Sequence, residues 1–320
     1  MESSVFLIGL GAISVGYDLD DKESLGRTHA RAVERHKDFF LASGYDPSEA
    51  KRIEFSKFYN KPTYAELEPG LKQVNPEIVV IASPTEMHST NIEQVLNWCS
   101  PKIILCEKPI ATDLSTINEM IQSCSDRNIA LYVNYFRNSE PSSIEIAEAI
   151  KNQIILKPFS GTCTYNKGSH HTATHFLNLF ELWFGEVLEI TPKTEKLNLH
   201  NPRDPNYEFQ VIYPGGTMDF QVATDSNTLT FQSEIQFSNG LLQYKNEGEE
   251  IIWIESNNNG DFGKVAQKSI KTSLNKGIYN VWDEISNLIH LKTHNLCTAE
   301  RAKRYIVQIE KLKRNRDNVT

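Results

Sequence analysis

The residues best placed to do chemistry stand in three short stretches. In Ile103-Ile104-Leu105-Cys106-Glu107-Lys108-Pro109 an apolar, β-branched run ends abruptly in a charged pair. Pro109 halts the strand, because it has no N–H to donate to a neighbour. Ligands of open α/β sheets bind just outside the carboxyl ends of the strands. Glu107 and Lys108 are therefore site candidates, and Lys108 a candidate catalytic group. Further on, His171 and His175 lie four apart in a helical pattern that closes at Gly185, a spacing that turns both rings the same way. The third stretch, Gly9-Leu10-Gly11-Ala12-Ile13-Ser14, follows the apolar run Val5-Phe6-Leu7-Ile8. Glycines in such a turn let a pyrophosphate approach the backbone, and the next helix offers it free N–H groups. A tight strand-to-helix turn has the same look, and Ser14 stands where a third Gly or Ala is usual. These residue types suit alcohol oxidation by a nicotinamide. Hydride and proton must leave together, histidine titrates near neutrality, and an ammonium beside the carbinol oxygen favours the alkoxide.

A frame for these groups is legible around them. A helix is predicted over Thr28 to His36, then a strand from Phe39 that ends in Asp46. An acid there accepts ribose hydroxyls and repels a 2′-phosphate, which favours NAD over NADP; it also suits a helix cap ahead of Pro47. The gap from the glycines exceeds the usual ~20 residues, and the polar insertion Tyr17 to Gly26 supplies the surplus. Helices over Ser48 to Tyr59, Ser89 to Cys99 and Leu114 to Arg127 alternate with strands at Ile78 to Ala82, Ile103 to Cys106 and Ala130 to Tyr135. Such alternation predicts right-handed βαβ units and a doubly wound parallel Rossmann sheet over residues 1–137.

Residues 138–320 read differently. After a helix at Ser142 to Lys151, strands are predicted at 154–165, 187–191, 207–213, 216–224, 228–237, 240–245 and 250–255. Gly215-Gly216 and Asn239-Gly240 mark hairpins. The helix His171 to Phe184 interrupts them, and helices at Gly277 to Leu291 and Thr298 to Arg314 close the chain. The expected fold is an α+β domain, an open and mostly antiparallel sheet with helices on one face. The last helices can pack back on the first domain. The other face of the sheet needs a cover, so a homodimer or homotetramer joined sheet to sheet is expected. Tyr165, Asn166 and Lys167 leave a strand just before the histidine helix and are placed at the substrate pocket. Tyr279 and Trp282 read as core, and Asn257 to Gly260 as an exposed loop.

Composition narrows the class. A chain of 320 residues exceeds one ordinary core, which predicts two domains. The net charge of -8 argues against nucleic acid and anionic membrane as partners. No apolar run approaches the ~20 residues of a membrane span, and the N-terminus lacks the basic region and cleavage pattern of a signal peptide. Five cysteines without a Cys-x-x-Cys pair suit buried free thiols in a reducing cytoplasm.

The order of the motifs carries a resemblance. Gly9 and Gly11 follow the first strand, Ser83-Pro84-Thr85-Glu86-Met87-His88 the third, Glu107-Lys108-Pro109 the fourth, and Asn134-Tyr135-Phe136-Arg137 with Pro141 the fifth. His171 and His175, ending in Trp183-Phe184-Gly185, come after. Nearly the whole chain resembles the Gfo/Idh/MocA family of sugar-type dehydrogenases, most strongly from 78 to 185. The resemblance implies a dehydrogenase moving hydride between nicotinamide and a carbinol of a sugar, nucleotide sugar or polyol. It implies that Gly9, Gly11, Ala12 and Ile13 hold the pyrophosphate of NAD and Asp46 its adenosine ribose. Ser83, Pro84 and His88 would line the nicotinamide, and Glu107 and Lys108 would meet its ribose, with a cis bond before Pro109. Lys108 would also reach the substrate hydroxyl, His175 would be the general acid/base, and Arg137 and His171 would contact substrate.

The chain departs from the family at three positions. His171 stands where an aspartate is common, Asn178 where an aspartate is frequent, and Asn138 where a second arginine is usual. The orienting partner of His175 is thus left open, and a non-catalytic or regulatory NAD(P)-binding homologue is the rival reading. A same-fold enzyme with transient redox, such as elimination or epimerisation, is another. His170, His171 and His175 also resemble zinc ligands, but no Glu lies between them and no cysteine pair is near. No metal is expected, and His170 is read as structural.

Overall fold

The computed structural model describes residues 2–21, 24–198, 201–223, 228–256 and 266–317. The first of two units comprises Met1–Ser139 with Asn275–Arg304. Its strands are β1 (Ser3–Ile8), β2 (Phe39–Tyr45), β3 (Thr63–Tyr64), β4 (Ile78–Ile81), β5 (Ile103–Glu107) and β6 (Ala130–Asn134). Between them run α1 (His29–Arg35), α2 (Glu49–Tyr59), α3 (Leu67–Val74), α4 (His88–Trp98) and α5 (Leu114–Ser125). The second unit, Glu140–Leu274 with Tyr305–Thr320, holds α6 (Pro141–Lys151), β7 (Phe159–Tyr165), α7 (Thr174–Phe184), β8 (Glu189–Lys196), β9 (Asn206–Tyr213) and β10 (Gly216–Val222). It continues with β11 (Phe231–Phe237), β12 (Gly240–Lys245), β13 (Glu250–Glu255) and β14 (Gln267–Ile270). The chain then returns to the first unit with α8 (Gly277–Ile289) and β15 (Cys297–Thr298), and α9 (Ala299–Asp317) starts there and ends in the second.

The first sheet has the order β15-β6-β5-β4-β1-β2-β3. Its first six strands are parallel, and β15 adds an antiparallel edge beside β6. Strands such as Ile78–Ile81 are buried throughout, as a parallel sheet covered on both faces requires. The predicted helix after the glycine turn is split. The N–H of Val15 donates to the carbonyl of Gly11 (3.0 Å), which makes one helical turn, and the chain then leaves. It comes back at α1, where His29 donates to the carbonyl of Ile13 (3.1 Å) and Ala30 to that of Ser14 (2.9 Å). The insertion is thus looped out of a helix that resumes on the same carbonyls. Buried Asp18 closes its base, accepting from Ser24 Oγ (2.6 Å) and from Thr28 N (2.7 Å) and Oγ1 (2.7 Å). Trp282 and Ile285 of α8 join the core around Leu7, Val33 and Phe39, with the Trp282 and Phe39 rings 4.8 Å apart, edge to face.

The second sheet has the order β14-β13-β12-β11-β7-β10-β9-β8. All its pairs are antiparallel except β7 with β10. The glycines predicted to turn hairpins do so between β9 and β10 and between β11 and β12. An aromatic layer seats α7 on the sheet: Phe176 stacks on Phe231 (3.7 Å) and Phe184 on Phe159 (3.9 Å). Burial of each such ring is worth about 1.5–3 kcal/mol. The alternate side chains are polar: Ser160, Thr162 and Thr164 on β7, and Gln232, Glu234 and Gln236 on β11. Polar side chains of this kind can face water or the matching face of a second copy.

Four short elements escaped the sequence. β3 and β15 are two residues each, α3 contains Pro69 and Gly70, and β14 is largely exposed. Asn257 to Gly260 lie outside the described residues. Among the described residues no helix is long and apolar enough to cross a membrane, and the five cysteines are buried free thiols.

Candidate active site

At the end of β1 the glycine turn is held from two sides. Gly9 has φ +90°, and a Cβ there would lie 2.7 Å from the carbonyl oxygen of Ala82 and from the nitrogen of Ser83. Gly11 is in open space, its nearest neighbour being Lys51 Nζ at 4.0 Å from an added Cβ. Ala12 and Ile13 continue the first helical turn, whose leading N–H groups have no partner within the helix. Asp46 lies beside this turn. Its Oδ2 accepts from the N–H of Leu10 (2.9 Å) and stands 3.6 Å from Lys51 Nζ, while Oδ1 accepts from the N–H of Ser48 (2.9 Å). The acid thus locks the glycine turn to β2 and also turns the chain toward α2. Ser48, not Asp46, is the N-cap of α2, so the capping reading fails, while the ribose reading is compatible with this placement.

Glu107 ends β5 and anchors a polar cluster. Its Oε1 takes His29 Nε2 at 2.9 Å and Asn134 Nδ2 at 2.6 Å. Wholly buried His29 stands edge-on to Trp282 at 6.3 Å. Burial pushes the Glu107 carboxyl upward, but His29, Asn134 and the Lys108 charge outweigh it and hold the group below its ordinary value. Its stabilising contribution is then fully present above the unfolded value, 4.5, and is lost as pH falls through the lower folded value. Glu107→Gln should therefore flatten the fall of Tm as pH drops below about 4.5; a fall as steep as the wild type's would contradict this. Sequence reasoning missed His29. Its signal was a polar residue just inside a helix whose N-cap, Thr28, was identifiable.

Lys108 is half-buried, and the Lys108–Pro109 bond is cis, as the family resemblance implies. After β4, Ser83 Oγ accepts from Asn91 Nδ2 (2.7 Å). His88 is a strut: its Nε2 lies 3.0 Å from the carbonyl of Ser83 and its Nδ1 3.1 Å from that of Ile110. It ties the Pro84 turn to the loop beyond Pro109. Arg137 is buried, with its guanidinium 4.7 Å from the centroid of the Phe136 ring.

In the second unit the predicted helix over 171–184 begins as a π turn, Ser169–Ala173, before α7 proper. His171 is on the wide turn and exposed; His175 is on α7 and 7% exposed, edge-on to Phe231 at 6.2 Å. The two histidines therefore sit on different turns and in different surroundings, one exposed and one buried. Phe231 also lines a polar cavity of about 340 Å³ with Thr230, Gln232, Asn246, Glu247 and Glu249. Tyr165 is committed to the fold. It is fully buried, its hydroxyl donating to the carbonyl of Tyr207 (2.6 Å), accepting from the N–H of Tyr207 (3.0 Å) and pairing with Ser169 Oγ (2.8 Å). Burial drives that phenol well above its ordinary pKa. Asn166 is likewise committed, donating to the carbonyl of Thr228 (2.8 Å) and accepting from the N–H of Thr230 (2.9 Å). Both leave the strand where expected but point into the fold. Among the described residues no group of three or more His, Cys, Asp or Glu is placed to hold a metal.

The first unit fits a dinucleotide. Gly11 leaves room over the turn, Asp46 borders it, and buried His29 Nδ1, Asn134 Oδ1 and Trp282 Nε1 have no partner within the protein. Comparison with known proteins points the same way. Residues 5–135 match the profile of the GFO_IDH_MocA oxidoreductase family, NAD-binding Rossmann fold. No curated protein matches the sequence. An oxidoreductase from Agrobacterium radiobacter, solved with NAD+, L-tartaric acid and magnesium, superposes with TM-score 0.78 at 14% identity over 100% of this chain and 98% of its own. The WlbA dehydrogenase of Bordetella pertussis, solved with NADH and UDP-GlcNAcA, gives 0.75 at 15% over 100% and 96%. The transcriptional regulator Gal80p from Kluyveromyces lactis gives 0.78 at 13% over 100% and 91%. At such identities the likeness to these structures is one of fold.

Proposed function

From the match of residues 5–135 to the Gfo/Idh/MocA oxidoreductase family, we propose that the protein is an NAD-dependent dehydrogenase of that family. Its substrate would carry the CH–OH group of a sugar, nucleotide sugar or related polyol. The observation that carries this is the acid-locked glycine turn, with Asp46 on the N–H of Leu10 and open space over Gly11. Two proteins of the same fold were solved with NAD+ and L-tartaric acid, and with NADH and UDP-GlcNAcA.

Gly9, Gly11, Ala12 and Ile13 would hold the pyrophosphate and Asp46 the adenosine ribose. Ser83, Pro84 and His88 would shape the nicotinamide side, and Glu107 would meet the ribose there. The nicotinamide, when bound, supplies the hydride acceptor or donor. Lys108 places an ammonium at the carbinol oxygen and favours its alkoxide. His175 takes the proton in oxidation and returns it in reduction. Arg137 and His171 orient the substrate. Titration with NADH and NADPH, followed by reduction assays on sugars, uronic acids and nucleotide sugars, tests this. NADH should bind more tightly than NADPH, and at least one polyol should be turned over; absence of binding by either nucleotide sinks the reading. The Gal80p likeness favours a second reading, a regulator that binds NAD and reduces nothing on the panel. Bound cofactor with no net NADH release would instead mark elimination with the hydride returned.

We further place the protein in the cytoplasm, where five buried thiols stay reduced, as a homodimer or homotetramer built on the open face of its second sheet. Light scattering should give at least twice the 36.5 kDa of one chain, and Thr162→Arg should lower that mass. A monomeric wild type would end this assignment.

A further inference from the structure

Asp204 lies just before β9, and no motif pointed to it. Its carboxylate spans the start of the π turn. Oδ1 accepts from the N–H of His170 (2.9 Å) and stands 3.1 Å from His170 Nδ1, while Oδ2 accepts from the N–H of His171 (2.9 Å). Space for it is made by Gly168, at φ +105°, where a Cβ would collide with Oδ2 and Cγ of Asp204. Neighbouring bonds fix the same two segments together: Gly168 N–H to Asn206 Oδ1 (2.7 Å), Ser169 N–H to the carbonyl of Pro205 (3.1 Å) and Asn198 Nδ2 to the carbonyl of Asp204 (2.7 Å). On its far side His170 presents Nε2 to Glu310 Oε1 of α9 at 3.6 Å.

A π turn is wider than an α turn and is usually found where a functional residue must be re-aimed. One carboxylate on two consecutive N–H groups removes the freedom of the peptide that carries His171, and bonds to an ionised acceptor are the strong ones. The family aspartate one turn before His175 is replaced here by His171. We propose that Asp204 is the positioning residue of this turn: from a distant loop its carboxylate fixes the backbone from which His171 meets substrate. This rests on the reading of His171 and His175 as substrate-facing. His170 is the second arm of the clasp.

Asp204→Asn tests it in the full-length protein. The change is isosteric and keeps the main-chain bond from Asn198, but leaves one acceptor oxygen for two N–H groups. Amide hydrogen exchange at His170 and His171 should rise at least about ten-fold, and the ¹⁵N imidazole signals of His171 should shift. The kcat on a polyol found with wild type should fall about 10²-fold, with the Kd for NADH unchanged. Gly168→Ala, which displaces the carboxylate, should reproduce the pattern. Wild-type protection of both amides, or an unchanged kcat in folded Asp204→Asn, overturns the proposal. Were no polyol turned over by wild type, the dehydrogenase reading would fail while exchange and imidazole spectra still decided the role of Asp204.

Discussion

Lys108→Ala is expected to lower turnover by about 10²–10³-fold, and His175→Ala by about 10²–10⁴-fold, with NADH affinity nearly unchanged in both. Lysine offers a fixed positive charge where negative charge develops, and alanine leaves that charge to water. Histidine moves the proton, and alanine in its place has no group to do so. The NADH Kd separates these roles from collapse of the cofactor site. Lys108→Arg should recover little, because a planar guanidinium does not replace a compact ammonium at one oxygen. Steady-state kcat and the NADH Kd of each variant decide the matter. Turnover persisting at the wild-type level in both alanine variants would remove Lys108 and His175 from the chemistry.

Gly9→Ala should unfold the first domain or cost it about 3 kcal/mol, while Gly11→Ala should leave stability within about 0.5 kcal/mol and weaken NADH binding. The two glycines look alike in the sequence but differ in the fold. A side chain at 9 meets the main chain of Ala82 and Ser83, which cannot swing aside, at a backbone angle that only glycine adopts freely. A side chain at 11 meets nothing nearer than the tip of Lys51, so its cost falls on the ligand. Denaturant midpoints and nucleotide titrations separate the outcomes. Equal loss of stability in both would mean that neither position serves the ligand in particular.

The parallel half of the fold was legible because buried strands announce themselves: Ile78 to Ile81 and Ile103 to Cys106 read as strands from composition alone. Their order then gave the sheet, and the charged end of β5 located Glu107 and Lys108. Other features resisted for physical reasons. Strand-end logic places Tyr165 and Asn166 at a sheet terminus but cannot say which way they face, and both turned inward to bond the fold. The π turn is invisible to a 3.6-residue period, so the exposure of His171 beside the burial of His175 could not be foreseen. His29 with Glu107 and Asp204 with His171 are long-range pairs, 78 and 33 residues apart. No local pattern encodes either partner.

The split helix at the glycine turn has a kinetic consequence. A normal crossover helix grows residue by residue from its own first turn. Here His29 and Ala30 must find the carbonyls of Ile13 and Ser14 across the looped-out segment. Their bonds form only after that loop has closed, at an entropic cost that grows by about 0.6 kcal/mol per doubling of its length. The first helix of the domain is thus built from distant parts, and it must condense with the sheet it covers instead of preceding it. Because the cost rises so slowly, the same junction is where this chain could lengthen or shorten over generations while the strands on either side kept their register.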